Sequence, residues 1–276
     1  MEGTMQKKQK KNTKNKNSRA YKSFINIVKC WKDDCIFMSH ISNIYESTTT
    51  NNTNANVNYK HEVELYKLPL WRDITDTQKQ AYFMYFMAET HEYANLKPFT
   101  LDFSREFRAK HKSLTYKELK AVIIKRMYGN LDYQLQSMPK PIMSFTLENK
   151  VKCRRKDIND KETHIHGIRE VFDDKDIDCK VILSLKTSVC DGHKEYKQPE
   201  YRNMLNTRDG YSNYKHGAAG WMRYMNKGTC SNNGLYISAS LLEKIRDDYN
   251  QLYARYSQYI NELKVLCVKV KFKNVK

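Results

Sequence analysis

Although the 276-residue chain holds seven cysteines, no Cys-x-x-Cys pair occurs in it. Cys30, Cys35, Cys153, Cys179, Cys190, Cys230 and Cys267 are scattered and odd in number. That excludes a disulfide framework and a zinc ribbon, and points to reduced thiols. No apolar run approaches the roughly 20 residues of a membrane span, and the lysine-rich start is not followed by the apolar core of a signal peptide. The expectation is a soluble, non-secreted protein with no membrane partner. A Gly-x-x-x-x-Gly-Lys-[Ser/Thr] loop is also missing, which excludes a helicase of that type on this chain. Acidic residues are the scarce charge, 31 against 49 basic ones, for a net charge of +18 and a pI near 9.4. A surplus of that size calls for a polyanionic partner, nucleic acid first and an acidic membrane surface second.

What is present divides unevenly along the chain. Residues 1 to about 20 are dominated by Lys, Asn and Gln and cannot bury enough apolar surface to fold. Tyr21 to Tyr45 is more apolar, around Phe24, Ile27, Trp31, Ile36, Phe37 and Ile41, without a pattern that assigns an element. Ser47 to Asn54 reads as a low-complexity linker. The expected organisation is a basic, largely disordered tail and linker over 1–58, then one folded domain over 59–276 with its motifs at about 97–228 and a C-terminal helix.

Within that domain, Thr75 and Gln78 form a capping box, and Ala81, Met84, Tyr85 and Ala88 follow at helical spacing. A second box, Thr115 with Glu118, opens a helix striped by Leu119, Val122, Ile123, Met127, Leu131 and Leu135, stopped near Ser137 by Pro139 and Pro141. Ser240 and Glu243 predict a cap for a third helix with Leu241, Leu242, Ile245, Tyr249, Leu252, Tyr256 and Leu263 as its apolar stripe. Pro98–Phe103 and Ile142–Glu148 alternate apolar and polar residues as half-buried strands do. Val181–Leu185 is expected to be a further strand, and Val265–Phe272 an edge strand or basic tail. The fold class is therefore α+β, an antiparallel sheet with helices on one face. Phe99, Leu101, Phe145, Leu147 and Ile165 face those helices, leaving the polar parity on the open side.

Chemistry concentrates on that polar parity. In a strand, His164 and His166 point the same way, about 6–7 Å apart along the chain. Glu148 is aimed at the same face by the parity of its own strand, whereas Asp157, Asp160 and Glu162 fall in a charged turn over 149–162. Cys153 and Cys179 lack the spacings of a zinc site with the histidine pair. Downstream, Tyr224 and Lys227 lie three apart on one helical face, with Ala218, Met222 and Met225 on another. Between the histidine strand and that helix, His193 to Lys215 is a basic, tyrosine-rich stretch suited to a single strand, because phosphates take the charge and bases stack on rings. Its candidate contacts are Lys194, Tyr196, Lys197, Tyr201, Arg202, Tyr211, Tyr214 and Lys215, with Arg223 on the helix.

A Phe-Thr-Leu strand, a Glu-bearing strand, a His-x-His strand and then Tyr-x-x-Lys, in that order, resemble the HUH endonuclease superfamily of rolling-circle replication initiators. The likeness runs from about Phe99 to Lys227. It implies a sheet related to the RNA-recognition fold, Mg²⁺ or Mn²⁺ held by Glu148, His164 and His166, and Tyr224 as the nucleophile with Lys227 steadying it. It further implies single-stranded DNA at a replication origin as substrate, a covalent 5′-phosphotyrosine, and a host helicase and polymerase acting afterwards. Plasmid-associated cytoplasm in a prokaryote, or the nucleus of a eukaryotic host, would be the setting, with a homo-oligomer as one arrangement. A transposase or a mobilisation relaxase would use the same residues, and a non-catalytic single-strand-binding module would share the charge. A histidine-triad nucleotide hydrolase is excluded, because the third alternating position is Ile168.

Overall fold

The computed structural model of the chain describes residues 21–32, 62–136, 140–148, 163–191, 204–226, 232–266 and 268–273. They divide into two compact units, Gln80–Leu242 and a second made of the chain up to Lys79 together with Glu243–Lys276. The division differs from the single domain expected from residue 59, and it falls inside two helices.

The larger unit is built on a five-stranded antiparallel sheet in the order β5-β2-β4-β3-β6. Its strands are β2 (Leu96–Asp102), β3 (Met143–Glu148), β4 (His164–Glu170), β5 (Leu205–Thr207) and β6 (Leu235–Ile237). Around them stand α2 (Asp76–Phe86), α3 (Arg105–Lys110), α4 (Tyr116–Leu135), α5 (Lys175–Ser188) and α6 (Gly217–Met225). The expected apolar parity is what the sheet buries. Phe99, Leu101, Phe145, Leu147 and Ile165 join Leu119, Ile123 and Met127 of α4 and Val181 and Leu185 of α5 in one core.

Both sequence-read capping boxes form. Gln78 N–H donates to Thr75 Oγ1 (3.3 Å) while Thr75 N–H donates to Gln78 Oε1 (2.9 Å). Thr115 and Glu118 repeat the exchange at the start of α4. Val181–Leu185, expected as a strand, is the middle of α5. Asp174 caps that helix through Asp176 and Ile177 N–H, and the buried Val181, Ser184, Leu185 and Ser188 follow the helical period. Arg169 reaches from β4 to α5 and pairs with Asp178 at 2.7 Å while almost fully buried.

The polar side of the sheet is not open, so helices lie on both faces rather than one. Gln80 of α2 donates to Ser144 Oγ at 2.8 Å. Trp221 of α6 donates its indole N–H to Gly167 O at 3.0 Å. On the opposite, apolar face of the sheet Gly167 is required for a different reason, since a Cβ would come within 2.5 Å of Ser144 O, 2.7 Å of the Phe99 ring and 2.8 Å of Phe145 Cβ.

The smaller unit contains α1 (21–32), β1 (Glu62–Tyr66), β7 (Lys269–Lys273) and most of α7 (Ala239–Val265). Residues 21–32, placed within the expected tail and linker over 1–58, form α1, whose Phe24, Ile25, Val28 and Trp31 are buried. Trp31 meets Tyr256 edge-on at 4.5 Å and donates to Tyr66 O at 2.9 Å. β1 and β7 pair in parallel, with Lys271 and Lys273 against Glu64. The cap of α7 is Ser238 rather than Ser240: Leu241 N–H donates to its hydroxyl at 3.4 Å. The tail at 1–20 and the linker at 47–54 lie outside the described residues.

Candidate metal centre and tyrosine site

Register does the assembling. Across β2, β4 and β3, Asp102 faces His164 and His164 faces Glu148; two pairs along, Thr100 faces His166 and His166 faces Thr146. Strand alternation puts all six side chains on the face covered by α6. β2 turns Asp102 N–H to Met204 O (2.9 Å) and Pro98 O to Arg208 N–H (2.9 Å), both on the β5 side. Toward β4, Thr100 and Asp102 therefore form the narrow, non-hydrogen-bonded pairs in which opposite side chains come closest.

The consequence is a tight cluster. His166 Nε2 lies 2.8 Å and His164 Nε2 3.5 Å from Glu148 Oε2, and the two Nε2 atoms are 2.8 Å apart. Ligand atoms of all three residues fall within 4.8 Å of one another. Hydrogen bonds from His164, then His166, hold the Glu148 carboxyl down at about 2, overcoming the effect of burial. It is an anion at any ordinary pH. On the far edge of the His166 ring, Nδ1 meets Thr100 Oγ1 at 3.0 Å. That bond turns Nε2 inward, the role an outer partner plays for a metal-binding histidine. Two imidazoles and a carboxylate, so oriented, fit a divalent cation.

Above the cluster lies α6. Trp221, 1% exposed, fixes the helix to β4 one residue past His166, and its ring stacks on Tyr224 at 5.2 Å, 16° from parallel. The Tyr224 ring then sits 4.8 Å from that of His166. His166 is 3% exposed and Tyr224 41%, so the tyrosine spans the boundary between the buried triad and solvent.

Comparisons with protein-family models, with curated proteins and with solved structures returned no match to this chain.

α6 starts at a glycine. His216 and Gly217 have φ of 74° and 56°, and the Glu89 carboxylate accepts Ala218 N–H at the helix start. An anion there suits the helix dipole. A Cβ at Gly217 would collide with Glu89, and one at Gly220 with the Lys215 carbonyl. Tyr211 and Tyr214 thus lie before the helix. The Tyr211 hydroxyl turns inward to Leu96 O (3.5 Å), and burial, with the Glu89 carboxylate, pushes the phenol far above its ordinary value. Tyr214 packs on Trp221 at 4.7 Å and lies 6.3 Å from Tyr224; burial raises its phenol too. Lys215 and Arg223 are exposed, Arg223 Nε donating to Tyr85 OH at 3.3 Å.

Of the residues singled out from sequence, Glu148, His164, His166 and Tyr224 come together. Lys194, Tyr196, Lys197, Tyr201, Arg202 and Lys227 lie outside the described residues, as does the 149–162 turn. Thr100 and Trp221 were not assigned roles by sequence. Thr100 shares the parity of Asp102 two residues on, and Trp221 precedes Tyr224 by three, so both signals were there. Glu89 gave none, because its partner is 129 residues away. Among the described residues Cys30, Cys179 and Cys190 form no disulfide, and no helix is long and apolar enough to cross a membrane.

Proposed function

We propose that this chain is a metal-dependent endonuclease and strand transferase that nicks single-stranded DNA through a tyrosine, in the manner of HUH replication initiators. The observation that carries the reading is the Tyr224 ring 4.8 Å from His166, whose Nε2 belongs to the Glu148, His164, His166 cluster. The +18 charge supports a polyanionic substrate.

Glu148, His164 and His166 would hold the cation, Mg²⁺ or Mn²⁺, with the imidazoles favouring Mn²⁺. When bound, such an ion supplies Lewis-acid polarisation of the scissile phosphate. Tyr224, partly exposed on its outer edge, can meet a strand from solvent. Its Oη forms the new P–O bond as the P–O3′ bond breaks; the phenolic proton passes to solvent, and the 3′-oxygen leaves as a protonated hydroxyl. Trp221 stacks on the ring and His166 meets it at a steep angle, the two also touching each other, which is the positioning such an attack needs. The phosphodiester is exchanged rather than hydrolysed, so the reverse step rejoins ends without a nucleotide cofactor.

The test is incubation of the protein with Mn²⁺ and single-stranded oligonucleotides, followed by denaturing electrophoresis. A covalent adduct is expected, absent from Tyr224→Phe and from the His164→Ala, His166→Ala double variant. Cleavage that persists in Tyr224→Phe would sink the reading.

A further inference from the structure

A cavity of about 480 Å³ lies beside the start of α6, between the α2–β2 connection and the loop leading to the helix. Its size is that of a small-molecule or nucleotide site. Tyr93, Leu96, Tyr211 and Tyr214 are among its lining residues, and Glu89 and Lys97 supply charge. Tyr214 belongs both to this wall and to the ring stack on Trp221 and Tyr224. The cavity is thus joined to the tyrosine site by a single side chain.

Glu89 decides what the cavity can take. Its Oε1 is fixed by Ala218 N–H, an approach that only glycine at position 217 permits. A carboxylate is acceptor-only, with lone pairs on both oxygens. Placed at the helix start it also repels a phosphate that the exposed N–H groups would otherwise attract. An uncharged, flat group bearing an exocyclic amino donor is the complement, with the carboxylate to receive it among tyrosines. Lys97 stands in the same wall for the phosphate attached to it.

We propose that this cavity binds one unstacked base of the single strand, next to the phosphate attacked by Tyr224, and that Glu89 selects bases with an exocyclic amino group over thymine. The inference rests on the nuclease reading and names a specificity for it. Cytosine N4 and adenine N6 present the amino donor, whereas thymine presents the O4 acceptor at the equivalent edge.

The experiment measures binding of the full-length protein, without metal, to fluorescent oligo-dC and oligo-dT of about 12 nucleotides, a length within the site size of single-strand binders. Oligo-dC should bind roughly 5-fold more tightly, the worth of one hydrogen bond. In Glu89→Gln the amide oxygen can still accept Ala218 N–H while the amide nitrogen donates, so the preference should reverse toward oligo-dT. An unchanged dC/dT ratio in a folded variant would overturn the proposal. If Glu89→Gln does not fold, photocrosslinking of wild type to a strand containing 5-iododeoxycytidine decides: attachment at Tyr93, Tyr211 or Tyr214 supports the subsite, and attachment confined elsewhere refutes it. Adduct formation with metal is scored in parallel. Adducts with no base preference would remove the subsite alone; a base preference without adducts would remove the nuclease reading alone.

Discussion

Trp221→Phe should separate the tyrosine from the metal centre. The indole N–H donates to Gly167 O in a buried setting, 3.0 Å away, and phenylalanine has no donor. Losing that bond from a buried carbonyl costs about 1–3 kcal/mol. The smaller ring leaves a void worth roughly a further 1 kcal/mol. With a urea slope of about 2 kcal/mol per M, the unfolding midpoint should fall by about 1–2 M, followed by circular dichroism. Glu148, His164 and His166 sit on the sheet and not on α6, so Mn²⁺ affinity by calorimetry should be nearly unchanged while adduct formation slows at least about 10-fold. A midpoint within about 0.3 M of wild type would refute the anchoring role. So would equal losses of metal binding and adduct.

Thr100→Val removes the hydroxyl that orients His166 Nδ1 and should weaken Mn²⁺ binding about 10- to 100-fold, with Thr100→Ser restoring it; unchanged calorimetric affinity would contradict the assignment. Glu148, held at about 2 against an ordinary 4.5, stabilises the metal-free fold fully above about 4.5, and that contribution is lost as pH falls through about 2. Thermal melts across that window should show the slope, and Glu148→Gln should flatten it. Gly217→Ala, strained by a φ of 56° and by contact with Glu89, should cost at least about 1 kcal/mol in urea unfolding; Gly210→Ala, with open space around it, is the neutral control.

Much of the centre was legible in the chain because strand parity is a two-residue rule. Phe99, Leu101, Phe145, Leu147 and Ile165 on one side, and Glu148, His164 and His166 on the other, follow from alternation alone. Capping boxes at Thr75 and Thr115 were equally local. Val181–Leu185 misled because a five-residue apolar run suits a strand as well as one side of a helix. The Asp174 cap and the return of buried Ser188 were the discriminating signs. β5 and β6, three residues each, are too short to leave a pattern. The covering of the polar face by α6 depends on Trp221 meeting Gly167, a contact 54 positions apart, and no periodicity reports it. α1 was unassigned for a similar reason: its burial is against aromatic residues of α7 more than two hundred positions away.

Tyr224 is the single nucleophile of the proposed reaction. Tyr214, whose ring is 6.3 Å away, is the nearest rival among the described tyrosines of that ring stack, and Tyr211 the next one back in the loop. After incubation with Mn²⁺ and single-stranded DNA, nuclease trimming and proteolysis, peptide mass spectrometry should find the nucleotide on Tyr224 alone, with none in the presence of a chelator. Adduct on Tyr211 or Tyr214, or adduct on Tyr224 that forms equally well without metal, would contradict it.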